Sequence, residues 1–406
     1  MEGGEPPRGG LVEEPPEPRT RGLAVLYEAA GGVLVSLAAT VLAFLVGGLV
    51  VVATGHSPLG AYRAIFEGTG LHWPLLWLFG KERTAAAGDL QQTLIVLTPL
   101  ILTALAVGFA FRAGMFNIGG QGQYWAGLVA ALYVGVGFEG LPAPLHVLAA
   151  VVASIVAGLL WGGIAGVLKA TSGAHEVITT IMLNWIAIFA GKWLFELGGP
   201  LQGSERSIPR SDEVLESARL PEIWGGLQAL HAGIFVALAA LVVYHLLLNR
   251  TTLGYEIKAV GFNPEAARYG GIAVARNYVL ALGIAGAFAG LAGAMDVLGW
   301  KYRVATNDFD VGTLGFIGIA VALLGRNKAV GIFFAALLFA ALQVGTSTRQ
   351  LDPAVFPPEL AGNLATMIQA LIILFVGAEL LIVYLWRARR GLRAAGPGGS
   401  GARVGT

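Results

Sequence analysis

Between Asp89 and Arg112 the chain runs for 22 residues without one charged side chain, enough α-helix to cross the hydrocarbon of a bilayer. In lipid each backbone N–H and C=O must find a partner inside the protein, so a run of this length reads as a helix. Together with it, predominantly apolar runs place spans at 30–54, 90–111, 121–138, 146–168, 176–195, 230–248, 277–299, 312–325, 329–346 and 363–386. The stretch at 312–325 is too short to cross alone and reads as a half-helix or re-entrant segment. The expected fold is all-α, a polytopic transmembrane bundle of about ten helices that includes short or broken ones.

Composition supports this. Only 13% of residues are charged, against about 25% in soluble domains. Cysteine is absent, which excludes a disulfide frame, a thiolate metal site and a cysteine nucleophile. The net charge of +1 points to no nucleic-acid partner. With both termini cytoplasmic, 16 of the 26 Lys and Arg residues fall inside, including Arg112, Lys169, Arg250, Arg268 and Arg326. Residues 1–22, rich in Gly, Pro, Glu and Arg, read as a disordered cytoplasmic tail, and 391–406 as a flexible one. One membrane domain fills 23–390. Pro58 to Glu67 has the apolar spacing of a short helix lying on the outer surface.

Small residues mark close helix contacts. Gly158, Gly162 and Gly166 repeat every fourth residue, as do Gly286 and Gly290. This spacing lets backbones approach in lipid, and packing within one chain is favoured over a dimer face.

No G-x-x-x-x-G-K-[ST] loop, H-E-x-x-H pair or G-x-S-x-G elbow occurs. The chain reads as a transport subunit and not an enzyme, without a cofactor, and any ATP hydrolysis falls to a separate polypeptide.

Five segments carry information. Phe111 to Gln123 (FRAGMFNIGGQGQ) places four glycines and the amides Asn117, Gln121 and Gln123 at a membrane boundary. It is either a structural turn or an unwound stretch lining a watery path. In Gly173 to Trp185 (GAHEVITTIMLNW), Glu176, Thr180 and Asn184 fall on one helix face. A polar stripe in a membrane helix lines a pathway or bonds a neighbouring helix. Leu253 to Ile272 holds a short extramembrane helix: Asn263 suits the N-cap, Pro264 the first turn, Glu265 the dipole, and Gly270 or Gly271 the end. Asp296, near the outer end of its span, faces water, contacts solute or pairs with Lys301 or Arg303. Gly315 to Gly325 (GFIGIAVALLG) has the length of a discontinuous helix, with Trp300 and Phe316 nearby as aromatic faces.

Together with AVGFNPEAARYGGI and LAGAMDVLG, these stretches resemble ABC-importer permeases of the simple-sugar, nucleoside and branched-chain amino acid group, nearest the purine nucleoside branch. The resemblance covers about 55–386. It implies two permease subunits at the core, the second a homologous chain. It also implies a cytoplasmic ATPase with two nucleotide-binding halves, an extracytoplasmic solute-binding lipoprotein, and the cell membrane as location. Asn263, Pro264, Glu265, Ala266, Ala267, Arg268 and Gly270 would form the coupling helix. Glu265-Ala266-Ala267 match the EAA-type loop, while its longer pattern does not follow. The substrate pathway is expected to use Asn117, Gln121, Gln123, Glu176, Thr180, Asn184 and Asp296. Rival readings are a ribose-type or branched-chain amino acid permease, an ion-coupled secondary transporter using Glu176 and Asp296, and a permease-like scaffold.

Overall fold

The computed structural model describes residues 18–75, 83–225, 228–311, 313–347 and 357–394. Its helices are α1 (Pro18–Ala53), α2 (Pro58–Gly68), α3 (Arg83–Arg112), α4 (Gly120–Gly137), α5 (Ala143–Ser172), α6 (Glu176–Phe195) and α7 (Gly233–Arg250). They continue as α8 (Thr252–Phe262), α9 (Pro264–Tyr269), α10 (Val274–Asp296), α11 (Asp308–Val311), α12 (Leu314–Leu324), α13 (Ala329–Gly345) and α14 (Pro358–Ala394). Two strands, β1 (Glu222–Trp224) and β2 (Leu230–His231), pair antiparallel in the loop before α7.

Among the described residues, seven helices are long and apolar enough to span a membrane. These are α1, α3, α5, α6, α7, α10 and α14. The remaining expected spans are α4, α12 and α13, which are shorter or more polar and lie in the same bundle. The expected surface helix is α2, where the Ser57 hydroxyl accepts from Gly60 N and Pro58 starts the first turn. The tail assignments at 1–17 and 395–406 lie outside the described residues. The innermost parts of both assigned tails are helical, since α1 begins at Pro18 and α14 runs to Ala394. A proline at a helix start needs no N–H partner, so the adjoining apolar run extends back to it.

Burial orders the bundle. The apolar window of α3 is 83% buried while that of α5 is 22% buried, so α3 is central and α5 lies at the periphery, exposed over most of its surface. The face of α5 that turns inward is glycine. A Cβ on Gly158 would lie 2.2 Å from Gly286 O, and one on Gly162 would lie 2.3 Å from Leu282 O. Ser154 Oγ donates to Gly290 O at 2.6 Å. The glycine spacing thus works within the chain, between α5 and α10, and Gly127 of α4 meets Gly290 from the other side. Dispersion between backbones holds the contact, because lipid offers no hydrophobic drive for it.

The loop between α6 and α7 closes the face opposite Arg112. It is zipped to the chain after α10 by Ser211 N to Val304 O, Val214 N to Tyr302 O and Leu220 N to Leu298 O, each 2.8 Å. Within it, Asp212 Oδ1 accepts from Ser204 N and Ser204 Oγ, both at 2.7 Å. The backbone donor, then the hydroxyl, hold the Asp212 carboxyl below its ordinary value. A lowered folded pKa stabilises the loop fully above the unfolded value near 3.9, and the contribution is lost as pH falls through the folded one. Ser204→Ala is therefore expected to weaken the loop at neutral pH and to make no difference at strongly acid pH. Limited proteolysis of the loop across pH is the check.

Candidate functional site

The helix of α3 stops at Arg112, and the chain climbs back into the bundle without helical structure until Gly120. Gly114 takes φ +71°, and its Cα side lies against the Gly261 backbone at the end of α8. Only glycine fits both the left-handed turn and the close approach.

The expected amides hold this unwound stretch together. Asn117 Nδ2 donates to Gln123 Oε1 at 2.9 Å, and Gln123 Nε2 returns a bond to Asn117 Oδ1 at 3.2 Å. Asn117 Oδ1 also accepts from Gly119 N. From α6, Asn184 Oδ1 accepts from Gly122 N at 2.7 Å and Asn184 Nδ2 donates to Ile118 O at 2.8 Å. Freed backbone groups thereby find partners inside the membrane domain.

The α6 stripe is real: Glu176, Thr180, Leu183, Asn184, Ala187 and Gly191 form its buried face. Thr180 Oγ1 donates to Glu176 O at 2.7 Å, and its Cβ sits against Gly119. The Glu176 carboxylate turns away from Thr180 and Asn184 to meet Lys169 Nζ at 2.8 Å, across the hairpin capped by Gly173 in the left-handed conformation. Glu176 lies at the basic end of the bundle, with Asn184 two turns deeper.

The short helix α12 ends beside that basic face. Arg326 and Asn327 both take positive φ, and the Asn327 carbonyl accepts from Arg112 Nη2 at 2.7 Å and Tyr244 OH at 2.8 Å. Counting back 11 residues at 1.5 Å each puts its N-terminus about 16 Å deeper, half the hydrocarbon thickness. There Gln121 Oε1 accepts from Gly315 N at 2.8 Å. Gln121 Nε2 is buried without a hydrogen-bond partner.

Asp296 belongs to a second, separate cluster towards the opposite face. It is 2% exposed. Its carboxylate accepts from Tyr124 OH at 2.6 Å and Trp300 Nε1 at 3.1 Å, and pairs with Lys301 Nζ at 3.3 Å. A π-helical turn over Val297–Lys301 swings Lys301 back onto Asp296, and Tyr302 closes it at φ +54°. Of the two cations expected for Asp296, Lys301 takes the place, while Arg303 pairs with Glu213 at 2.8 Å.

At the basic face the capped helix forms as its residues dictate. Asn263 Oδ1 accepts from Glu265 N and Ala266 N at 3.0 Å each, Pro264 opens the first turn, and the helix ends at Tyr269 before Gly270. Ala267 packs on Val260 and Val274, anchoring α9 to α8 and α10. Its flanking aromatics point outward, Phe262 92% exposed and Tyr269 94% exposed.

The seven expected pathway residues are all buried within this one chain. Asn117, Gln121, Gln123, Thr180 and Asn184 form one assembly, with Glu176 at its mouth and Asp296 apart. Sequence reasoning missed Tyr124 and Lys169 as partners, and Phe309. The Phe309 ring fills the slot over Gly191, 4.2 Å centroid to centroid from Trp125. The only signal for that slot was Gly191 itself.

Comparison with known proteins agrees with this architecture. Residues 90–377 match the family model described as branched-chain amino acid transport system / permease component. The chain is 38% identical over 362 residues to the guanosine ABC transporter permease protein NupP of Bacillus subtilis, covering 87% of this chain and 95% of that protein. It is 34% identical over 370 residues to the nucleoside ABC transporter permease protein NupB of Lactococcus lactis, covering 89% and 95%. It is 37% identical over 349 residues to the glucose ABC transporter permease protein TsgB13 of Haloferax volcanii, covering 83% and 85%. A helical bundle with seven helices long and apolar enough to span a membrane among the described residues, and a family match over most of the chain, leave one assignment: the chain belongs to the ABC transporter permeases of the branched-chain amino acid transport system / permease component family.

Proposed function

We propose that this permease imports nucleosides, purine nucleosides before others, as one subunit of an ATP-driven transporter in the cell membrane. The observation that carries the solute is the near full-length similarity to two permeases named for guanosine and nucleosides. The 37% identity to a permease named for glucose favours a simple sugar as the second reading. In a purine-requiring host without nucleoside uptake of its own, the complete transporter should restore growth on guanosine. No growth on guanosine, with uptake of labelled ribose or glucose by the same transporter, would move the chain to the sugar branch.

In this reading the basic face is cytoplasmic and α9 docks on an ATPase with two nucleotide-binding halves. A homologous permease faces this chain, and a solute-binding lipoprotein delivers from outside. Phe262 and Tyr269 flank α9 as exposed aromatic anchors, the residue type that dominates interface energetics. The stroke has a physical route. A Cβ on Gly261 would lie 2.4 Å from Arg112 O, so α8 cannot move without pressing on the end of α3 and the unwound stretch. Pathway residues follow from the same picture, with the 117–123 amides, Thr180 and Asn184 at mid-depth and Glu176 at the cytoplasmic mouth. Asp296 stands nearer the outer entrance.

Asn263→Ala removes the acceptor for two backbone donors and costs α9 about 1 kcal/mol. The expected result is less solute moved per ATP hydrolysed, with transporter assembly retained. An unchanged ratio would separate α9 from coupling.

A further inference from the structure

Two helices start inside the bundle, and they start against each other. α4 begins at Gly120 and α12 at Leu314. A Cβ on Gly315 would lie 2.2 Å from Gln121 N, and one on Gly120 would lie 3.6 Å from Gly315 Cα. Helix N-termini carry partial positive charge, and here two of them meet at mid-depth. Discontinuous helices arranged in this way present their ends to polar solutes in other transporters.

A second observation marks the same spot. The junction holds the carboxamides of Asn117, Gln121, Gln123 and Asn184. Three of them are bonded at both oxygen and nitrogen. Gln121 is bonded only at its oxygen, to Gly315 N. Its Nε2 has no partner although the residue is 0% exposed. A buried amide donor left unpaired is costly; the Gln121 oxygen serves Gly315 N, while its nitrogen serves nothing within the described residues. A donor without a partner beside two helix N-termini suits an oxygen acceptor that arrives and leaves.

We infer that Gln121 Nε2 donates to an oxygen of the passing solute where α4 and α12 meet. This rests on the nucleoside reading and deepens it. The ligand is an uncharged, oxygen-rich ring compound, and the oxygen is the ribose 2′- or 3′-hydroxyl or a base carbonyl. Gly120 and Gly315 keep side chains away from the junction, so a small tilt of α12 opens it to that ring. Solute entry replaces backbone contact with a hydrogen bond.

The test is ATP-driven uptake into vesicles by the full transporter, expressed per assembled complex, with Gln121→Met against wild type. Guanosine, adenosine, 2′-deoxyguanosine and 3′-deoxyguanosine are compared. A lost hydrogen bond is expected to lower guanosine uptake about tenfold. If the donor reads the base carbonyl, adenosine uptake is unchanged by the substitution. If it reads a ribose hydroxyl, adenosine falls with guanosine, while the analogue lacking that hydroxyl is unaffected. Either pattern supports the inference. An equal fall for all four solutes, or no fall for any, overturns it. Should the methionine variant not assemble, wild-type uptake at saturating binding protein decides. At least one oxygen-deleted analogue must move about tenfold more slowly, and equal rates for all overturn the inference. Failure of the nucleoside reading itself looks different, because wild type would then take up no guanosine with ATP present.

Discussion

Gly286→Val is expected to abolish folded permease. A single methyl at that position would sit 2.0 Å from Gly158 O and 2.8 Å from Gly158 C. Both are backbone atoms, so no side-chain rotation relieves the clash. α5 and α10 would have to part along a contact that also holds Gly162, Gly290 and the Ser154 bond. Overpacking by even one methylene costs about 1–3 kcal/mol where side chains can adjust, and here they cannot. Gly286→Ala should already lower the melting temperature in detergent, and valine should leave only aggregated protein. The control lies on α5 itself. A Cβ on Gly163 meets nothing within 4 Å, so Gly163→Ala should be neutral or gain about 0.4–1 kcal/mol from reduced chain entropy. Equal tolerance of alanine at Gly286 and Gly163 would disprove the close contact of α5 and α10.

The second large effect is expected at Asp296. Breaking a buried ion pair by removing one partner costs about 3–5 kcal/mol, because the other charge is left without compensation. Asp296→Ala strands Lys301 among Tyr124, Trp125 and Trp300, whose rings lie 5.4–5.9 Å from its ammonium. It also takes the acceptor from Tyr124 OH and Trp300 Nε1. Lys301 keeps 21% of its side chain exposed, so partial escape to water places the loss at the lower end of that range. Adding Lys301→Met to the alanine variant should recover part of the stability, since no charge is then stranded, while Tyr124 OH and Trp300 Nε1 still lack their acceptor. Thermal melts of the two variants compare them directly. The same residue tests the ion-coupled rival. A structural Asp296 predicts uptake indifferent to collapse of a proton gradient, whereas a coupling carboxylate would make uptake follow the gradient.

Much of the fold was legible because lipid leaves few choices. An uncharged run such as 90–111 must be helical, and α3 (Arg83–Arg112) contains it. The span expected at 176–195, charged only at Glu176 and Lys192, coincides with α6. Asn263-Pro264-Glu265 announced α9 through local chemistry alone, since cap, first-turn proline and acidic residue act within one turn. Glycine spacing marked α5 and α10 as close-packing helices within the chain for a similar reason, while their contact with each other is set by the fold.

The rest depended on partners far away in the chain. Asn184 holds Gly122 across 62 residues, and Gln121 holds Gly315 across 194. Nothing near either residue specifies its partner. A polar side chain in a membrane helix serves equally to satisfy unwound backbone or to touch solute, so Asn117 and Gln123 read alike with Gln121 until their bonds were visible. The zipper between 211–220 and 298–304 uses backbone groups, which any residue supplies. The π-helical turn that delivers Lys301 to Asp296 carries no sequence mark either.

The most direct measurement of the account is uptake of labelled guanosine into vesicles holding this chain with the proposed ATPase, second permease and binding protein. ATP is supplied or withheld, and excess unlabelled ribose or leucine is added. The account predicts uptake that requires ATP and that neither competitor reduces. Uptake blocked by ribose or leucine, or uptake that persists without ATP, would contradict it.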